Sequence, residues 1–338
     1  MRLDQVGEFG LINRLERIVH LSSDRIVCGI GDDAAVIRNR PGDEIVLTTD
    51  ALIEGVHFDL AYTPMKAIGW KALAASLSDI AAMGAVPICA VVSIAIPTTW
   101  SVENVEKMYS GLAMCGKRFG CPVVGGDTTC SHHAAFLCVT VEGEIQSGKA
   151  ILRSGAKTGD LLCITGELGG ARTGFEVLTT DGDRKQYSKS IQRLFMPIPR
   201  LREASELVKG MPITSMIDIS DGLGSEICHL CKQSDVGCLI DEDVIPVTKE
   251  TIHWAKKTNQ PLSRYIYESG EEYELLFTIP KEVYENRRPC KPSAGNRNFS
   301  VIGEIKRAVE GVRIRRGKKI LPLESTGWDH FGRGREQL

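Results

Sequence analysis

The sequence predicts a two-domain protein of mixed helices and strands, in the α+β or α/β class, and three observations carry that expectation. The chain has 338 residues, and at roughly 150 residues per domain such a length suits two domains. Short β-branched runs alternate with longer Ala/Leu-rich segments of helical spacing along most of the chain. A polar, glycine-bearing segment, Arg153-Ser154-Gly155-Ala156-Lys157-Thr158-Gly159-Asp160, interrupts the alternation near its middle. The division belongs there, with one domain over residues 1–150 and the other over 151–338.

Taken in order, a short helical pattern at 11–19 precedes strand-like runs at 25–30 and 44–49. Residues 66–83 have helical spacing, stopped by Gly84, and Pro87 opens a β-rich run to Ile96. Ser101 reads as an N-cap, with Glu103 in the first turn, for a helix reaching about Phe119. Strands follow at 122–125 and 134–145, an order that suits a sheet with helices on one face. The second half gives a strand at 161–165, helices near 171–178 and 200–209, a strand at 213–219, a helix at 223–233 and a strand at 236–240. Further strands are expected at 273–279, 301–305 and 312–315, with loops at 182–186 and 287–298.

Composition excludes several functions. Lys+Arg number 41 against 43 Asp+Glu, a net charge of −2, so there is no basic field for nucleic acid or an anionic membrane. With 43% hydrophobic and 25% charged residues, the chain is an ordinary globular one. The longest apolar run, 85–97, is too short to span a bilayer. No secretory signal is visible in the first ten residues, which include Asp4 and Glu8. The cysteines number 11, an odd count scattered through apolar runs, as expected of a reduced cytoplasmic protein using them as small core residues. Cys228-His229-Leu230-Cys231 lacks a second ligand pair for zinc and reads as structural.

Acidic residues beside Gly, Ser or Thr carry the chemical signal. Gly31-Asp32-Asp33 follows one strand, and Thr48-Thr49-Asp50 is expected to end another. Gly125-Gly126-Asp127 and Asp218-Ile219-Ser220-Asp221 are expected to end two more. Asp79 lies instead in a helix apolar almost all round, where an unpaired carboxylate would be costly. Such a set suits Mg²⁺, a hard cation that takes oxygen donors and phosphate oxygens, and the glycines let backbone N–H groups approach phosphate. Lys71 faces the same polar side of its helix as Ser78 and reads as solvated. No P-loop or G-x-S-x-G motif occurs, and Gly29-Ile30-Gly31-Asp32-Asp33-Ala34 continues into an extended run rather than the helix a dinucleotide fold needs.

These blocks resemble the thiamine-monophosphate kinase family. The matching stretches include Gly29–Ala35, Thr49-Asp50 with Gly55-Val56-His57-Phe58, Leu77–Gly84, Gly125–Thr129, Arg153–Ala156, Asp218–Leu223, Gly270–Glu274 and Gly327–Phe331, in the family's order over nearly the whole chain. Two departures stand in one motif: Ser269 where the family usually has a second Gly, and Glu272 for its usual Asp. The resemblance implies an aminoimidazole ribonucleotide synthetase-like two-domain fold, whose N-terminal sheets pair across a homodimer and whose C-terminal α/β domain completes the site. It implies ATP- and Mg²⁺-dependent phosphorylation of thiamine monophosphate. By matching position, Asp33, Thr48, Thr49, Asp50, Asp79, Asp127, Asp218 and Asp221 would hold several Mg²⁺ ions. Gly126, Asp127, Arg153, Ser220 and Tyr109 would meet ATP, and His57, Glu271 and Trp328 the thiamine phosphate. Asp50, Asp127, Asp221 and Arg153 would carry the transfer itself. The acceptor is a phosphate oxygen, so direct transfer needs no side-chain base. The alternatives are another ATP-dependent synthetase of the superfamily, or an inactive nucleotide-binding regulator.

Overall fold

The computed structural model describes residues 14–15, 17–20, 23–24, 26–28, 36–37, 40–180, 182–286 and 299–323. The block at 29–35, the loop expected at 287–298 and the segment at 327–331 lie outside the described residues, and Asp33 and Trp328 with them. Strands β1 (Ile26–Cys28) and β2 (Val36–Ile37) form a small antiparallel ribbon. The first large sheet runs β3 (Asp43–Ile53), β6 (Phe136–Gln146), β4 (Val86–Pro97), β5 (Val123–Ser131), with only β4 and β5 parallel to each other.

Two strands run past their expected ends. β3 continues to Ile53 because each of its residues finds a partner on β6, and β5 continues to Ser131 beside β4. The ladder outweighs the turn preference of Thr-Thr-Asp and Gly-Gly-Asp, since extended backbone beside a partner pairs the N–H and C=O groups that face it. Asp50 and Asp127 therefore sit inside strands rather than at their ends.

Helices α1 (Met65–Ala82) and α2 (Val102–Phe119) cover one face of this sheet. α1 is buried on nearly every side, which is why it can be apolar all round. Ser101 caps α2 by accepting the Asn104 N–H, and Gly120 ends it in the left-handed region at φ 72°. The two helices cross at glycines: a Cβ on Gly69 would lie 1.9 Å from the Met108 carbonyl oxygen, and one on Gly111 2.0 Å from that of Lys66. Leu73, Leu77 and Ile80 of α1 pack with Val92, Ile94, Leu137 and Val139 from the sheet.

The second sheet has the order β13 (Lys319–Pro322), β12 (Val312–Arg316), β9 (Val236–Asp241), β11 (Phe299–Arg307), β7 (Leu161–Thr165), β10 (Leu275–Ile279), β8 (Ser215–Asp218). Its pairs are antiparallel except β12 with β9. Helices α3 (Gly170–Thr179), α4 (Ser188–Phe195), α5 (Leu201–Gly210), α6 (Leu223–Ser234), α7 (Lys249–Thr258), α8 (Leu262–Tyr267) and α9 (Lys281–Asn286) belong to this half. One core collects Leu162, Ile217, Ile227, Ile240 and Leu276. Another joins Ala81 and Ala82 of α1 to Leu207, Met216 and Phe277, stitching the two halves together. Cys231 and Cys238 are buried free thiols.

Candidate active site

A cavity of about 930 Å³ opens where β3 and α1 meet the β8–α6 turn and the segment before β10. Each wall follows from the local fold. Along β3 the side chains alternate, so Thr48 and Asp50 face α1 while Thr49 takes the other face, where Thr140 donates to its hydroxyl at 3.0 Å. α1 answers with hydroxyls. Ser76 donates to Asp50 at 2.8 Å, Ser78 donates to Asp218 at 2.7 Å, and Thr48 donates to Asp79. Across the β8–α6 turn, Gly222 at φ 115° lets the backbone pass the Tyr267 carbonyl, where a Cβ would come within 2.6 Å.

Electrostatics sets these acids apart. Burial, then repulsion from Asp79, raises the Asp50 carboxyl to about 6 despite the Ser76 hydrogen bond. Burial also raises Asp79, against the Thr48 bond and the charge of Arg153. Asp218 is driven well above the carboxylate range by burial and by Asp79, Glu226 and Asp50. Glu226, which sequence reasoning passed over, rises to about 7 through burial while accepting the Asp221 N–H at 2.9 Å. So much negative charge in one low-dielectric place calls for cations from outside the chain.

Opposite the acids, Lys71 corrects the sequence reading. It is not solvated. Its ammonium meets both oxygens of Glu271, at 2.5 and 2.6 Å, with side chains 7% and 14% exposed. The polar side that Lys71 shares with Ser78 faces carboxylates of the second domain, Glu271 and Asp218, instead of solvent. Lys71, Ser76 and Ser78 are functional candidates missed from the sequence; their signal was polar side chains on the helix that also carries Asp79. Glu271 and Tyr273 hold φ of 58° and 52°, a left-handed backbone rare for such residues. Their N–H groups donate to the Ser220 and Ile219 carbonyls at 2.7 and 2.8 Å, pinning this segment to the Asp218–Asp221 turn.

Other predicted residues fall in different places. His57 lines the cavity, and its Nδ1 accepts the Ile53 N–H at 3.0 Å, which leaves Nε2 as the N–H donor of the neutral ring. Thr49, Ser220 and Asp221 also line it. Arg153 is exposed and outside the lining, though its charge acts on Asp79 and Glu226. Gly126 and Asp127 are exposed on the edge strand β5, where Asp127 pairs with Ser93. Tyr109 is buried in the first core, outside the lining, and burial raises its phenol. Among the described residues, no three His, Cys, Asp or Glu side chains close into a metal cage on their own.

Known proteins share this fold. Residues 31–145 match the AIR synthase related protein N-terminal domain, and residues 157–314 its C-terminal domain. Thiamine-monophosphate kinase of Bacillus subtilis (strain 168) is 32% identical over 333 residues, covering 96% of this chain and 100% of that protein. The structure of AaThiL complexed with AMPPCP and TMP superposes with a TM-score of 0.76 at 32% identity, covering 98% of this chain and 99% of that one. Thiamine-monophosphate kinase from Stenotrophomonas maltophilia K279a gives 0.79 at 30% identity, over 91% and 96%. With this identity carried over both domains and nearly the full length, the chain belongs to the thiamine-monophosphate kinase family, built on paired AIR synthase related domains.

Proposed function

We propose that this chain transfers the terminal phosphoryl group of ATP to thiamine monophosphate, giving thiamine diphosphate and ADP. The observation that carries this reading is the meeting of Asp50, Asp79, Asp218 and Asp221 with Lys71 and Glu271 around one cavity, in a chain related along its length to such kinases. An oxygen of the acceptor phosphate attacks the γ-phosphorus in line, and the bond to the ADP oxygen breaks. That oxygen is already anionic, so no side chain need accept a proton. The difficulty is bringing two polyanions together, which is a matter of positioning and charge.

The donor set fits Mg²⁺. Its members are hard oxygens, and the raised Asp50, Asp79 and Asp218 mark negative charge that the chain's own cations do not neutralise. Thr48, Thr49, Asp50, Asp79, Asp127, Asp218 and Asp221, with Asp33, would hold the ions. When bound, they would screen the two substrates' charges from each other. Gly126, Ser220 and Arg153 would meet the ATP phosphates, and His57, Glu271 and Trp328 the thiamine phosphate. Tyr109 would support the nucleotide side from within the first core.

We also propose the division at residues 150 and 151, a cytoplasmic location, and a homodimer. Supporting the dimer, the sheet face opposite α1 leaves Ile45, Leu47 and Ile53 exposed, Leu47 by 68%. Among the described residues no helix is long and apolar enough to cross a membrane. A coupled assay for ADP, run with and without thiamine monophosphate and with and without a chelator, tests the reading. ADP and thiamine diphosphate should form in equal amounts, only with both substrates, and readdition of Mg²⁺ should restore a chelated enzyme. ADP release indifferent to thiamine monophosphate would overturn it.

A further inference from the structure

Lys71 stands out among the groups that the proposed reaction leaves unused. It is the one Lys or Arg among the described residues lining the cavity. It reaches from α1 across to the segment before β10, and both oxygens of Glu271 lie within 2.6 Å of its ammonium. Glu271 itself is held in a left-handed backbone, at φ 58°, by its N–H bond to the Ser220 carbonyl. A residue so constrained at the backbone has one remaining freedom, its side-chain torsions. A bidentate partner removes that as well.

We propose that Lys71 is a positioning residue for thiamine monophosphate. It fixes the Glu271 carboxylate in the cavity, so that the carboxylate faces the cationic ring system of the substrate while the anionic end lies toward Asp50 and Asp218. The inference rests on the function proposed above and adds a determinant of the acceptor side. Lys71 acts through Glu271. Of the contacts assigned to ATP, Gly126 and Arg153 lie on other segments, and Ser220 meets Glu271 only backbone to backbone, a bond that a change of the Lys71 side chain leaves in place.

Burial of the pair makes this testable, because removing one partner leaves the other charge without compensation. Calorimetric titration of thiamine monophosphate and of ADP into wild type, Lys71→Met, Glu271→Gln and the double variant separates the possibilities. Lys71→Met should weaken thiamine monophosphate binding by about tenfold or more, and ADP binding by less than about twofold. The double variant should bind thiamine monophosphate as Glu271→Gln alone does, since Lys71 has nothing left to position. It also leaves no unpaired charge. If Lys71→Met does not fold, any weakening in the double variant beyond that of Glu271→Gln would still show Lys71 acting apart from Glu271 and overturn the proposal. So would a Glu271→Gln variant that binds thiamine monophosphate like wild type. Lys71→Arg, able to make the same two bonds, should restore most of the affinity. Unchanged thiamine monophosphate binding in Lys71→Met, equal weakening of both ligands, or a double variant weaker than Glu271→Gln by the full Lys71→Met factor would each overturn the proposal. A wild-type protein that binds ADP and no thiamine monophosphate would instead refute the substrate reading itself.

Discussion

Ser269 and Glu272, the two positions where the chain departs from its family's pattern, touch each other. The Ser269 hydroxyl donates to Glu272 Oε1 at 2.6 Å, and that oxygen also accepts the Ala171 N–H at 3.0 Å. The Arg172 N–H donates to Ser269 at 3.2 Å. Together they cap the first turn of α3, whose N-cap, Gly169, has no side chain to do so. Glu272 thus turns away from the cavity while Glu271 turns into it. The burial of Glu272 raises its carboxyl from 4.5 to about 7, against the Ser269 bond and the charge of Arg193. Its Oε2 has no hydrogen-bond partner. Because the folded state holds this proton more tightly than the unfolded chain, its contribution to stability is complete below about pH 4.5. It is lost as pH rises through about 7, a change on the order of 3 kcal/mol. Glu272→Gln keeps the acceptor oxygen and removes the titration. Urea denaturation of this variant should show a flatter decline in stability from pH 5 to 8 than wild type, and greater stability at pH 8. An unchanged slope would mean that Glu272 does not titrate in the fold.

At the scale of elements, α1 is where the site is made. One helix supplies Lys71 and Asp79 to the cavity and, from behind its wall, the Ser76 and Ser78 hydroxyls that hold Asp50 and Asp218; on its other sides it packs against the first sheet, α2 and the second domain. Its distance from α2 is set by glycine, since a Cβ at Gly111 would meet the Lys66 carbonyl at 2.0 Å. Backbone cannot yield as a flexible side chain does, so Gly111→Val must push the helices apart. Overpacking of this kind costs about 1–3 kcal/mol or more, with no gain in helix propensity large enough to offset it. We expect a lower urea midpoint with an unchanged denaturant slope, together with weaker turnover, because α1 would carry its polar residues away from Asp50 and Asp218. A variant as stable as wild type would show that the crossing can relax.

For the molecule as a whole, the sheet face opposite α1 matters most. Leu47 and its row neighbours form an apolar surface that a lone chain leaves in water. Thr49 and Asp127, both among the expected metal ligands, stand on that same face by their register with Thr140 and Ser93. Leu47→Glu places a charge in the proposed pairing surface. Sedimentation velocity should find wild type at twice the chain mass and the variant at the chain mass. A wild type that sediments as a single chain at micromolar concentration would remove the dimer.

The chain's sequence by itself determined the order of most elements and singled out Asp50, Asp79, Asp218 and Asp221, which line one cavity. Periodicity, the Ser101 cap and the Gly120 stop are local signals, and a lone Asp79 in an apolar helix is conspicuous without any coordinates. Strand ends were not legible at Asp50 and Asp127, because whether a Thr-Asp or Gly-Asp continues as strand depends on a partner far away in the chain. Nor were α4 and α7, whose short polar stretches hold as helices by packing Leu194 and Trp254 into cores assembled from distant segments. The pairing of Lys71 with Glu271 lies furthest from any sequence signal. Helical spacing says which residues share a face; only the tertiary fold decides whether that face meets water or a carboxylate 200 positions along the chain.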